Sequence, residues 1–138
     1  MRYASASVSK AMLLVAVLRR AAPKPLEERV RRQLRSMITL SDNDAASAVY
    51  ARVGGRGLQS VARAAGMNNF GEVGYWAGAR ITAADQARLF LRIDKLVPRA
   101  HRRYAGPLFP SSRAPGIVRE RRRLATLMRR GSTPPSTL

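Results

Sequence analysis

An unbroken apolar run, AMLLVAVL at residues 11–18, constrains the fold of this chain more than any other feature. The run contains no glycine or proline and is apolar nearly all round, which predicts a helix that is buried on every side. It is far too short to cross a bilayer, and one preceding lysine without a small-residue cleavage site is not typical of a signal peptide. We therefore expect a central helix from Ser7 to about Arg20, capped by Ser7 or Ser9.

The segments after this run also predict helices. Prolines end the first helix, and the next segment places its apolar residues on one stripe at helical spacing: Leu26, Val30, Leu34, Met37 and Ile38. A third helix follows, with Asn43 or Asp44 as its cap, and Gly54 and Gly55 end it. A short helix around residues 58–65 comes next.

The rest of the readable chain contains one loop and two more helices. Residues 67–81, MNNFGEVGYWAGARI, are rich in glycine and asparagine and predict an irregular loop. The segment 82–85, TAAD, is a near capping box that opens a helix ended by Pro98. A last short helix extends to about Tyr104. Because no stretch before residue 107 alternates cleanly enough for a strand, we predict a predominantly α fold.

The chain is strongly basic. Its 26 Lys and Arg residues against 8 Asp and Glu residues give a formal net charge of +18, which ordinarily points to a polyanionic partner. Nearly all of this charge is arginine and alanine is plentiful, as in proteins encoded by GC-rich DNA, so composition alone does not establish a binding surface. With no cysteine and one histidine, His101, we predict no metal and no cofactor, and we expect His101 at the surface.

The composition changes after Gly106. Residues 107–138 contain one acidic residue against seven arginines and end in a Ser/Thr/Pro-rich stretch without a packing face. We therefore expect a partial domain at residues 1–106 and a basic low-complexity tail at residues 107–138.

Two short motifs carry the chemistry of the sequence. Ser7 and Lys10 form S-x-x-K at the start of the apolar helix, one turn apart on one face, so the amine can reach the hydroxyl. A lysine can take a serine proton only where burial or positive potential disfavours its charged form, and the apolar run and the helix N-terminus supply both. The second motif, SDN at residues 41–43, opens the third helix. Taken alone, each motif also fits a helix cap.

S-x-x-K before an apolar helix, followed by SDN before another, resembles the class A β-lactamase and penicillin-binding protein superfamily. The segments SDNDAASAVYARVGG and ITAADQARLFLRIDKL are also similar to the helical subdomain of that family, particularly in its actinobacterial serine hydrolases. The resemblance extends from about Tyr3 to Tyr104. It implies the helical subdomain of the α+β serine β-lactamase/D,D-peptidase fold, with most of the sheet missing.

The resemblance implies a role for each motif residue. Ser7 would be the acylated nucleophile, and Lys10 would be its general base or proton relay. Ser41 would pass the proton toward the leaving nitrogen. Asn43 would bind the amide side chain of the substrate and help orient Lys10, and Asp42 would fix the loop. The implied substrates are β-lactams or peptidoglycan-like D-Ala-D-Ala peptides, used without a cofactor.

The sequence also departs from the family pattern. No K-T-G motif follows the helices, and Glu72 lacks the E-x-x-L-N context of the deacylating glutamate. The strands that precede S-x-x-K in the family are missing as well. We therefore expect a truncated reading frame, with a late start and a frameshift near residues 107–110, and impaired activity. The family implies a monomer that is secreted or lies in the cell envelope, although we find no signal peptide in this chain.

Two other interpretations stay open. The predicted helices at residues 45–53 and 58–65, joined by a glycine pair, could form the helix-turn-helix of a small basic nucleic-acid-binding module. The second helix would offer few groups to a groove, namely Gln59, Ser60 and Arg63, so specific nucleic-acid binding is not expected. The chain could also be a non-functional fragment whose apolar helix promotes aggregation.

Overall fold

The computed structural model describes residues 5–72 and 74–108, with side chains from Val8 onward. The described part contains five helices: α1 (Ser5–Ala21), α2 (Glu28–Thr39), α3 (Asn43–Ala65), α4 (Ala83–Leu96) and α5 (Arg102–Ala105). It also contains three short 3-10 turns: Trp76–Gly78, Arg99–His101 and Gly106–Leu108. Extended pairing within these residues is limited to one antiparallel bridge, between Gly71 and Arg80. The predicted helical fold is confirmed.

Helix α1 is the centre of the molecule. Its whole apolar run is buried, and it packs most extensively on α3, with further contacts to α2 and α4. The predicted burial on every side is therefore confirmed, but the predicted cap is wrong, because α1 begins at Ser5 and both Ser7 and Ser9 lie inside it. Ala6 explains the earlier start, since alanine is the best helix former and continues the helix before Ser7.

Helix α2 packs on one side of α1 through the apolar residues that the sequence predicted at helical spacing. Four of its members are buried and the fifth is half-buried: Leu26, Val30, Leu34 and Met37, then Ile38. The turn after α2 leads into α3, whose cap is Asp42 rather than Asn43 or Asp44. Asp42 has the extended backbone that a cap requires, whereas Asn43 already belongs to the helix.

Helix α3 consists of two helical segments that meet at a kink at the glycine pair. Gly54 has φ 63° and ψ −177°, a conformation that is essentially restricted to glycine. Gly55 leaves room for the Glu72 carboxylate, which lies where a Cβ would stand. The glycine pair therefore separates α3 into two helical segments, as predicted, and Gly66, with φ 76°, terminates the second segment after Ala65.

The loop at residues 67–81 is irregular, as predicted, and the start of α4 holds it in place. The Thr82 side chain accepts a hydrogen bond from the Asp85 N–H at 3.1 Å, which confirms that this segment opens α4 with Thr82 as its cap. The Asp85 carboxylate is fully buried and accepts from the Asn69 N–H and the Arg88 guanidinium, both at 2.8 Å. These two hydrogen bonds offset the cost of burying the Asp85 carboxylate. The bond from Asn69 also connects the loop to α4.

His101 is buried, so the expectation of a surface histidine is wrong. It is only 4% exposed. The reason is that the chain turns back after Pro98 through Arg99–His101 and α5, which brings Ala105 and Leu108 into the core as well. The His101 Nε2 atom has no hydrogen-bond partner among the described residues.

Candidate functional site

The Lys10 amine is the point where three distant segments of the chain meet. The residue is 7% exposed, although it carries an amine. Its Nζ donates a hydrogen bond of 2.9 Å to the main-chain carbonyl oxygen of Ser41, 31 residues away. The same Nζ lies 5.5 Å from the centroid of the Trp76 ring. The amine is therefore enclosed by the SDN turn on one side and by the loop on another.

Ser41, whose main-chain carbonyl accepts the hydrogen bond from Lys10, has an unusual backbone conformation. Its φ of 52° lies in the left-handed region, which costs a non-glycine residue about 1 kcal/mol or more. Strained residues persist where surrounding contacts hold them, and here the Lys10 bond supplies one such contact. Ser41 and Asn43 are both exposed, so the turn places two polar residues at the surface beside a buried amine.

Asp42 fixes this turn from within. Its carboxylate accepts from the Ala45 N–H at 3.0 Å and from the Ser36 hydroxyl at 2.9 Å. These hydrogen bonds, first that of Ala45 and then that of Ser36, hold the pKa of Asp42 below its ordinary value, and the Lys10 charge adds a smaller effect. The predicted role of Asp42 in fixing the loop is confirmed.

Trp76 is part of this site, and the sequence analysis did not single it out. The residue is 2% exposed, and its indole N–H donates to the Ser47 hydroxyl at 3.2 Å. The Tyr75 ring packs against it with 5.5 Å between centroids. An indole face above an amine attracts positive charge and excludes water. The signal was available, because Trp76 is the sole tryptophan of the chain and stands in a loop of mostly small residues.

Glu72 ties the same loop to α3 next to the kink. The Tyr50 hydroxyl donates a hydrogen bond to the Glu72 carboxylate. The carboxylate, helped by burial, raises the pKa of Tyr50 to about 12. Because Gly55 leaves space for this carboxylate, the glycine pair and the loop are parts of one packed unit.

The structure brings together some of the predicted site residues. Lys10 and the SDN turn are in contact, but through the main chain of Ser41 rather than through Asn43. Asn43 is the first residue of α3, two positions further along. Ser7 lies on α1 three residues before Lys10, and its side chain is outside the described part of the chain.

The described residues contain neither a candidate metal site nor a candidate membrane-spanning helix. No group of three or more His, Asp or Glu side chains there could hold a metal ion. None of the described helices is both long enough and apolar enough to span a bilayer.

The nucleic-acid-binding interpretation assigns three residues to a DNA groove, and these residues lie after the kink of α3. All three are exposed: Gln59, Ser60 and Arg63. The break between the two halves of α3 is the non-helical residue Gly54, whereas a helix-turn-helix has a turn of about three to four residues. That alternative stays a prediction.

Comparison with known families gives one match. The model of the β-lactamase enzyme family matches residues 23–114, about two thirds of the chain. The matched range includes Ser41 and Asn43 and begins after Ser7 and Lys10. Neither the curated proteins nor the solved structures gave a match.

Proposed function

The chain belongs to the β-lactamase enzyme family, and on that premise we propose that it forms an acyl-enzyme with β-lactam or D-Ala-D-Ala-like amides. Family membership supports a serine hydrolase that acts on a small molecule. The observation that carries the finer proposal is the position of the Lys10 amine, which is buried on α1 one turn after Ser7 and bonded to the SDN turn. This contact supports the proposal that the two motifs share one site.

Acylation begins at Ser7 in this proposal. The Ser7 hydroxyl oxygen attacks the carbonyl carbon of the amide, and Lys10 Nζ accepts the hydroxyl proton. A neutral amine keeps two N–H groups and one lone pair, so Lys10 can donate to the Ser41 carbonyl while it receives this proton. Ser7 is the third residue of α1, and the first N–H groups of a helix lack partners within the helix. Its N–H can therefore stabilise the oxyanion.

The SDN turn completes the reaction. Ser41 passes a proton to the leaving nitrogen, the carbon–nitrogen bond breaks, and the acyl group remains on Ser7 as an ester. Water then hydrolyses the ester and restores the hydroxyl. In this proposal Asn43, which is exposed at the start of α3, hydrogen-bonds the amide side chain of the substrate. Asp42 keeps both residues in position through the hydrogen bonds of the turn.

Trp76 assists Lys10 as a positioning residue. Its ring covers the amine, and the Ser47 hydroxyl fixes the ring through the indole N–H. A covered amine has few alternative rotamers, which holds it one turn of helix from Ser7.

Covalent labelling with a fluorescent penicillin tests the proposed function. The intact chain is expected to become labelled, and Ser7→Ala is expected to abolish the label. Ser9→Ala is the matched control, since Ser9 is a buried serine of the same helix whose hydroxyl has no partner among the described residues. Its label is expected to persist. Absence of label from the intact chain, or a label that survives Ser7→Ala, would contradict the proposal.

A further inference from the structure

A second concave surface lies at the other end of α1. It consists of two clefts of about 440 Å³ and 410 Å³, which share Arg20 and Val53 in their walls and therefore adjoin. Ten residues of helix separate Lys10 from Arg20, so the two regions are about 15 Å apart along the axis. We call this surface the basic groove and define it by its cationic rim: Arg19, Arg20, Lys24, Arg52 and Arg56.

Basic side chains outnumber carboxylates among the residues that line the basic groove. All five rim residues are exposed, and Glu27 is the single carboxylate among the residues that line the two clefts. The ion pair found in the described part of the chain joins Arg88 to Asp85 and includes no rim residue. The rim therefore offers fixed positive charge to an outside ligand.

Two rim arginines are held in place before any ligand binds. Arg19 donates to the main-chain carbonyl of Leu96 at 3.3 Å, and Arg20 donates to that of Arg52. A guanidinium has five N–H groups, so one such bond leaves donors for a ligand, and a carbonyl does not cancel the charge. Because these side chains are already ordered, binding costs less conformational entropy.

The floor of the basic groove is aliphatic. Its apolar residues come from α1, α2, α3 and the connection between α1 and α2: Ala16, Val17, Ala21, Pro25, Leu26, Val30, Val53 and Val61. Gly57 leaves room for the Val53 side chain, since a Cβ at position 57 would lie only 2.7 Å from the Val53 Cβ. Neither cleft is lined by an aromatic side chain, which removes the stacking surface that single-stranded nucleic acids use.

We propose that the basic groove binds an acidic polypeptide segment that also carries aliphatic side chains. Carboxylates of such a segment match the planar forks of the rim arginines, and its aliphatic side chains fit the clefts between them. Two adjoining clefts offer room for more than one side chain of such a segment. A bilayer surface is flat, so it would contact the rim but would not reach the floor. This proposal does not depend on the proposed function.

The test uses a fluorescein-labelled peptide of alternating Glu and Leu, with binding to the full chain followed by fluorescence polarisation. Arg52→Glu combined with Arg56→Glu reverses two exposed rim charges and is expected to weaken binding by about tenfold or more. The matched control, Arg29→Glu with Arg32→Glu, makes the same charge change on exposed positions of α2 outside the groove. It is expected to bind within about threefold of wild type.

Further arms separate the possible ligands. A second groove variant, Lys24→Glu, is expected to weaken binding even if the double variant fails to fold, as judged by circular dichroism. A Glu–Gln peptide of equal charge is expected to bind several times more weakly than the Glu–Leu peptide. Equal losses in groove and control variants would overturn the proposal. So would tighter binding of a single-stranded oligonucleotide or of phosphatidylglycerol vesicles.

Discussion

The two ends of α1 both hold a basic side chain against a main-chain carbonyl, but they differ in burial. At the N-terminal end, Lys10 is 7% exposed and is bonded to the carbonyl of Ser41 beneath an indole. At the C-terminal end, Arg19 and Arg20 are exposed and are bonded to the carbonyls of Leu96 and Arg52. The same kind of hydrogen bond, from a basic side chain to a main-chain carbonyl, therefore occurs once in a buried and once in an exposed environment.

The difference shows how burial and side-chain type together determine chemistry. A lysine amine can exchange its proton, whereas an arginine guanidinium stays charged under all ordinary conditions. An enclosed amine therefore suits proton transfer, and an exposed guanidinium suits recognition of anions. The predictions below test this division between the two ends, from the largest expected effect to the smallest.

Replacement of Lys10 is expected to have the largest effect. In Lys10→Met the proton acceptor is lost, so acylation by a fluorescent penicillin should slow by about a hundredfold to ten-thousandfold. The time course of labelling measures this rate. Arg20→Met, at the other end of α1, should leave the rate unchanged within about twofold. Similar losses in both variants would remove the distinction between the ends.

Removal of the buried carboxylate of Asp85 tests what holds the loop on the Lys10 end. Asp85→Ala leaves the Asn69 N–H and the Arg88 guanidinium without their partner. Breaking a buried pair on one side is expected to lower the free energy of unfolding by about 3 kcal/mol. Urea denaturation measures this change. A loss below about 1 kcal/mol would show that other contacts hold the loop.

The indole above Lys10 is expected to matter less than the amine itself. Trp76→Leu keeps an apolar side chain but loses the ring that covers the amine and its bond to Ser47, so Lys10 is held less firmly and acylation should slow by about tenfold. Tyr75→Leu is the matched control, because Tyr75 is the adjacent aromatic residue and is 50% exposed. Equal rates in the two variants would assign Trp76 a packing role only.

The smallest effect concerns Tyr50, which anchors the loop that carries Trp76. Glu72 raises the pKa of Tyr50 from 10.0 to about 12, so its contribution to stability is fully present below pH 10 and is lost as the pH rises through about 12. Unfolding of wild type and Tyr50→Phe, compared between pH 9 and about pH 12.5, should show a steeper decline in the wild type. Parallel curves would contradict the assigned bond.

Local patterns predicted much of the helical layer. The apolar run from Ala11 to Leu18 predicted the buried α1, and the stripe from Leu26 to Met37 predicted the inner face of α2. The capping box at Thr82 predicted the start of α4. Each of these features depends on residues close together in sequence, which is why periodicity and capping rules identified them.

Contacts between distant segments were not predictable from the same patterns. Nothing in the loop sequence alone places Trp76 over Lys10, 66 positions earlier, or directs Lys10 to the carbonyl of Ser41. The burial of His101 depends on how the chain turns back after Pro98. Such features arise from tertiary packing, which outweighs the average tendency of a residue type to lie at the surface.

The site of covalent attachment tests the central claim most directly. The chain is treated with a penicillin and digested, and the mass of each peptide is measured to locate the acyl group. Proton transfer at the N-terminal end of α1 predicts the added mass on Ser7, with none on Ser9 or Ser41. An acyl group on either of those serines, or no acyl group on any peptide, would contradict the assignment of Lys10 and Ser7 to one reaction.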